Sequence, residues 1–199
     1  MADRTISNRS ALAGLAKPGA LGAASGSPGV RVREITEFTA VTVIARRGRT
    51  AEVSEVLSRH VGSPVTDAAK RAGNASLSIT GTAPGQWLVV GRGSGNEIDN
   101  VRADLNGIAA VTDQGDGRLI IEVSGAQARN ALAKGIAIDL DASVFKAGDA
   151  AQTSAAHIGL QIALIDEAPT FEIISARSTA ESFWSWFVAS AAEYGIEVV

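Results

Sequence analysis

Short β-branched runs alternate with helically spaced segments from residue 30 onward, and their order recurs. Residues 30–38 (VRVREITEF) alternate apolar and polar positions, the pattern of an edge strand or lead-in. Residues 40–46 (AVTVIAR) are a β-branched run that predicts a strand. The next segment, 50–62, puts Val53, Val56, Leu57, His60 and Val61 on one helical face. SLSIT (76–80) and QWLVV (86–90) predict two strands, with turn residues Gly81 to Gly85, including Pro84, between them. Ile98, Val101, Leu105 and Ile108 stand at i, i+3, i+7 and i+10 and predict a helix, and AAVTD (109–113) a closing strand. The order is β-α-β-β-α-β.

The remainder repeats it. RLIIEVS (118–124) is a strand, and the segment 124–135 a helix opened by a capping box from Ser124 to Gln127. An irregular stretch follows, containing IDLDASVFKAGD (138–149). AHIGLQIALID (156–166) and TFEIISAR (170–177) then form a strand pair. Residues 178–195 predict a helix opened by a second capping box, Ser178 to Glu181, and IEVV closes the unit. The fold class is α+β: two consecutive ferredoxin-like βαββαβ units, residues 30–116 and 117–199, behind an extended or disordered N-terminal arm, residues 1–29. The sequences of the two units do not resemble each other; only the order of elements recurs.

Composition narrows the function. Charged residues are 20% of the 199 and the net charge is -3, with basic residues scattered, so no electrostatic footprint for nucleic acid exists. The absence of cysteine removes disulfides, thiolate nucleophiles and Cys-based zinc sites, and two histidines are too few for an imidazole-rich metal site. No apolar run approaches the roughly 20 residues that cross a bilayer. Gly14, Lys17 and Pro18 interrupt any signal-peptide core, so a soluble, cytoplasmic chain is expected. The arm is rich in Ala, Gly, Ser and Pro, which bury too little to offset their ordering entropy. It reads as a tail or as an arm that orders on a partner, and composition favours the tail.

The candidates for chemistry are few. GRGSGN (91–96) could cradle phosphates, with Asp113 and Asp116 near the distance of a ribose-binding acid. Asn96 stands where a glycine is needed, however, and the preceding strand pairs as a hairpin, so a turn is the better reading. His157 falls on the face opposite Ile158, Leu160, Ile162 and Leu164, with no partner for base catalysis, and His60 sits at a helix C-terminus. Asp139 and Asp141 read as turn aspartates. The last helix stands apart: Phe183, Trp184, Trp186, Phe187 and Tyr194 are five of the nine aromatic residues. They spread over about 200° of its circumference, wider than a one-sided helix needs. A partner interface is favoured over a helix embedded only in its own core.

Two stretches carry a family resemblance. Residues 134–166, with Asp139-Leu140, Phe145, Gly148 and Gln152-Thr153, and residues 177–195, where Arg177-Ser178 opens the aromatic helix, resemble the gamma subunit of heterotetrameric sarcosine oxidase. RSALAGLA (9–16) and PGVRVREI (28–35) are also similar, so the likeness covers nearly the whole chain. It implies a complex that oxidatively demethylates sarcosine to glycine, yielding hydrogen peroxide and, with tetrahydrofolate, methylenetetrahydrofolate. It also implies a fold like the N-terminal part of aminomethyltransferase, and FAD, FMN, NAD and zinc held by the alpha, beta and delta subunits, with none on this chain. The chain is then a noncatalytic structural subunit whose arm orders chiefly against alpha. Trp184, Trp186, Phe187, Arg177, Arg9 and Leu12 are the residues expected at its interfaces. The alternatives are a stand-alone folate-binding or C1-transfer protein, or a nucleotide-binding domain using residues 91–96.

Overall fold

The computed structural model describes residues 9–22, 26–93 and 95–199. Twelve strands and four helices follow one another there. The first half holds β1 (Gly19–Leu21), β2 (Val30–Glu34), β3 (Phe38–Ala45), α1 (Thr50–Val61), β4 (Arg71–Gly73), β5 (Leu77–Ala83), β6 (Gln86–Arg92), α2 (Glu97–Asp104) and β7 (Ala109–Asp113). The second holds β8 (Arg118–Ser124), α3 (Ala128–Ala133), β9 (Ala150–Ala155), β10 (Ile158–Asp166), β11 (Thr170–Ala176), α4 (Ala180–Ala191) and β12 (Ile196–Val198).

The first sheet runs β4-β5-β6-β3-β7, with every pair antiparallel. Setting aside the short edge strand β4, this is the ferredoxin-like order, with the opening strand at the centre and the closing strand beside it. Alternation decides the faces: Val41 and Val43 of β3 go into a core with Trp87 and Val89, beneath Val53 and Leu57 of α1 and Val101 of α2. The buried Trp87 ring donates from Nε1 to the Thr66 carbonyl at 3.0 Å, which satisfies its one polar atom. Pro84 and Gly85 turn the β5–β6 hairpin, and Gly85 takes the φ of +68° that a side chain resists.

The second sheet runs β1-β12-β2-β8-β11-β10-β9. Strand β8, with α3, β10, β11, α4 and β12, repeats the first unit's plan, with one displacement. The segment 30–34, which the alternation assigns to the first unit, pairs instead in the second sheet, parallel to β12 and antiparallel to β8. Its two apolar residues explain why: Val30 and Val32 are buried beneath the second unit's helices, in the core that also holds Phe171, Phe183 and Phe187. Arg31 and Arg33 meanwhile pair with Glu197 and Glu122 on the neighbouring strands.

Strand β9 lies in residues that follow the stretch read as irregular and carry no apolar alternation. It is created by its hairpin with β10, whose loop residues Ala156 and His157 both adopt positive φ, 46° and 71°. His157 is therefore on an exposed turn and not in the strand. Neither capping box forms. Ser124 ends β8 while α3 begins at Ala128, and Ser178 lies within a 3-10 turn (Arg177–Thr179) ahead of α4.

The two sheets pack face to face with helices outside. Ala40, Leu88 and Val90 of the first sheet meet Ile120 and Ile174 of the second. The described part of the arm is docked on its own chain, a correction to the tail reading. Leu12 is 1% exposed in the second core, and β1 adds to the edge of that sheet through β12. Residues 1–8 and 23–25 of the arm lie outside the described residues.

Candidate functional site

The glycine loop is structural. Strand β6 is antiparallel to both neighbours, so the parallel crossover that delivers phosphates to a helix N-terminus is missing. A Cβ on Gly91 would stand 2.8 Å from Thr39 Oγ1 and 3.0 Å from Ile98 Cγ1, so this glycine lets α2 close on its strand. Asn96 makes no side-chain cap for α2, and Asp113 Oδ1 accepts from the Gly115 amide at 2.9 Å. Residue 94 of this loop is outside the described residues.

The other polar candidates are committed locally. His60 Nε2 lies 3.0 Å from Asp104 Oδ2, tying the ends of α1 and α2. Asp139 Oδ1 accepts from the Asp141 amide at 2.9 Å, and Asp141 Oδ1 from the Ser143 amide at 2.8 Å and hydroxyl at 2.6 Å, two successive turns. The Ser143 hydrogen bonds hold the Asp141 carboxyl below its ordinary value. Among the described residues no group of three His, Cys, Asp or Glu side chains gathers as a metal would require.

The aromatic helix is largely consumed by its own unit. Phe183 and Phe187 stack at 6.2 Å and are fully buried, and Trp184 is 7% exposed. Sheet and α3 approach α4 from two sides, which is why a 200° arc can be covered internally. Trp186 packs over Gly135, where a Cβ would come within 2.6 Å of its Nε1, and remains half-buried. Of the interface candidates, Leu12, Phe187 and Trp184 are thus core residues with almost no free area. Arg177 and Arg9 meet each other, since the Arg177 guanidinium donates to the carbonyls of Arg9 and, at 3.3 Å, of Ser10. Glu34 completes this clamp, accepting from Ser10 Oγ at 2.5 Å and from the amides of Ala11 and Leu12 at 2.8 and 3.3 Å.

A buried ion network joins the two sheets, and it escapes the sequence reading. Glu172, 1% exposed, accepts from Arg71 Nε at 3.0 Å and from Arg92 Nη2 at 2.6 Å. Arg92 Nη1 also donates to Glu122 at 2.5 Å, and Arg33 reaches the other Glu122 oxygen at 2.5 Å. Burial pushes the Glu122 carboxyl up, and the hydrogen bonds from Arg33 and Arg92 outweigh it, holding the group below its ordinary value. Burial likewise lowers Arg92, and its two carboxylate partners outweigh that. The available signal is a single acid in each of two apolar strands, RLIIEVS and TFEIISAR, where an unpaired charge would be too costly to bury.

Two ferredoxin-like units packed sheet to sheet define an aminomethyltransferase-like architecture. The chain superposes on glycine cleavage system aminomethyltransferase T from Bartonella henselae with a TM-score of 0.61 and 15% identity over 86% of this chain, spanning 48% of that enzyme. Its likeness to a chain of heterotetrameric sarcosine oxidase from Corynebacterium sp. U-96, in complex with pyrrole 2-carboxylate, is greater: TM-score 0.80, 24% identity, 94% of this chain and 95% of that one. Residues 47–193 match the model of SoxG, the sarcosine oxidase, gamma subunit family, and the chain belongs to that family. No curated protein matches the sequence.

Proposed function

We propose that this chain is the noncatalytic structural gamma subunit of a heterotetrameric sarcosine oxidase, which demethylates sarcosine oxidatively to glycine with formation of hydrogen peroxide and methylenetetrahydrofolate. The family match over residues 47–193 carries the reading. A structural role is supported by how the buried ionisable groups are used: Glu122, Glu172, Arg71 and Arg92 are spent on one another across the sheets. FAD, FMN, NAD, zinc and the tetrahydrofolate site then belong to the alpha, beta and delta subunits, and alpha is the chief neighbour. In this reading the complex works in the cytoplasm. Separately, no helix among the described residues is long and apolar enough to cross a membrane.

Trp186, Arg177 and Arg9 remain the surface candidates for the subunit interface. A tagged pull-down from the native cell, with subunit identification and a visible spectrum, tests the assignment. The expected eluate is yellow and holds three further subunits; a colourless, solitary chain overturns it. Trp186→Ala is expected to weaken assembly by about 2 kcal/mol, the scale of an interface tryptophan, read as the subunit concentration at which the complex dissociates. The alternative of a stand-alone folate-binding or C1-transfer protein rests on fold likeness, which carries little functional weight. A tetrahydrofolate isotherm on the isolated chain separates the two.

A further inference from the structure

Beyond their apolar centre the inner faces of the two sheets part and leave a cleft of about 400 Å³, within the usual range of small-molecule pockets, about 300–1,000 Å³. Thr42 and Gln86 line it from the first sheet, and Arg118, Gln152 and Gln161 from the second. Sheet register places the second set: Gln152, Gln161 and Ile174 lie directly opposite one another across β9, β10 and β11, and Ile174 faces Ile120, two residues from Arg118. Leu88 and Ile174 give the cleft an apolar floor.

Its charge is one-sided. Arg118 is a fixed cation, no acidic residue among the described residues lines the cleft, and the remaining side-chain polarity is amide and hydroxyl. Arg118 Nη2 donates to Gln114 Oε1 at 3.2 Å, which leaves most of its N–H groups for another acceptor. Gln161 is 5% exposed and its Oε1 accepts from Gln152 Nε2 at 3.0 Å. That bond leaves Gln161 Nε2 without a hydrogen-bond partner among the described residues and open to the cleft, and Ser175 Oγ, also in the lining, is buried with no partner there, which is unfavourable for a buried hydroxyl. One cation, with no lysine or second arginine among the described residues of the lining, matches a single negative charge and not a phosphate dianion.

We propose that this inter-sheet cleft binds a small organic acid through its carboxylate, with Arg118 as counter-ion, Gln161 Nε2 and the buried Ser175 Oγ as donors and Leu88 and Ile174 against the apolar body. The cleft is built wholly from this chain, so the inference does not rest on the assembly proposed above.

Crystals of the assembled oxidase soaked in 4-bromopyrrole-2-carboxylate test it by the bromine's anomalous signal. The expected result is a peak between the sheets of this chain that is lost in Arg118→Gln crystals while any peak on another subunit persists as an internal control. Gln161→Leu, which keeps the side-chain volume, provides the second variant if Arg118→Gln does not fold, and is expected to lower the peak. No peak in the cleft, or one unchanged in both variants, overturns the proposal. Should the chain prove solitary, the same soak on its own crystals decides the cleft separately from the assembly.

Discussion

The two units follow one plan and are closed by different means. The first sheet is drawn from a single stretch, residues 38–113, and its helices show charge outward: Glu52, Glu55 and Arg59 on α1, Asp99 and Arg102 on α2. The second sheet gathers residues 19–21, 30–34 and 118–198, and twelve-residue α4 carries one charged side chain, Glu181. The first core contains one aromatic residue, Trp87, whereas Phe145, Phe171, Phe183, Trp184 and Phe187 fill the second. A local unit can be completed by its own turns; one closed by the chain's two ends needs large side chains and long-range pairing to offset a greater loop-closure cost.

The largest test of that contrast is Phe187→Ala. The ring is fully buried and stacked on Phe183, so the change is expected to cost about 3–5 kcal/mol of stability. Hydrogen exchange should show protection falling first in β8, β10 and β11, with β3 and β6 following at higher denaturant. Equal losses in both sheets would show that the units unfold as one body and would break the comparison.

A second test concerns the arm. Leu12→Ala removes a side chain buried in the second core and is expected to cost about 2–5 kcal/mol, toward the lower end because the arm can leave without opening the sheet. Cleavage by subtilisin within residues 9–22 should speed up while the first unit's exchange is unchanged. An unchanged cleavage rate would mean that the Glu34 and Arg177 clamp holds the arm without its apolar plug.

The same contrast explains what the sequence disclosed. In the first unit β3, α1, β5, β6, α2 and β7 are legible from local periodicity, with Ile98 and Val101 facing the core, whereas α2 stops at Asp104, short of the predicted Leu105 and Ile108, and the short edge strand β4 shows no signature. The reading fails where a long-range partner decides. VRVRE looks like a lead-in to the strand that follows it, and only the second core, completed some 150 residues later, gives Val30 and Val32 a place. AAQTSA has no strand signature and is drawn into the sheet by β10. Trp184 and Phe187 look like surplus apolar area because the sequence does not show that α3 covers a second side of α4. Glu122 and Glu172 are visible as single acids in apolar strands, but their arginines come from other elements, β2, β4 and β6.

The smallest expected effect bears on the joint between the units. The hydrogen bonds of Arg33 and Arg92 lower the folded Glu122 carboxyl below its ordinary value of 4.5, so folding binds the charged form more favourably than the unfolded chain does. This contribution is fully present above that ordinary value and is lost as pH falls through the lower, folded one. Wild type should therefore lose urea stability on acidification from pH 5 to 3 more steeply than Glu122→Gln, which has no carboxylate to protonate at that position. At pH 7 the variant should be the less stable by about 1–3 kcal/mol, since Arg92 and Arg33 lose a charged acceptor in a half-buried site. The two proteins should converge in acid as the wild-type carboxyl takes up its proton. Parallel curves from pH 7 to 3 would place the acid sensitivity elsewhere, and would leave the joint between the two sheets to Glu172 with Arg71 and Arg92 and to the apolar contacts of Ala40, Leu88 and Val90 with Ile120 and Ile174.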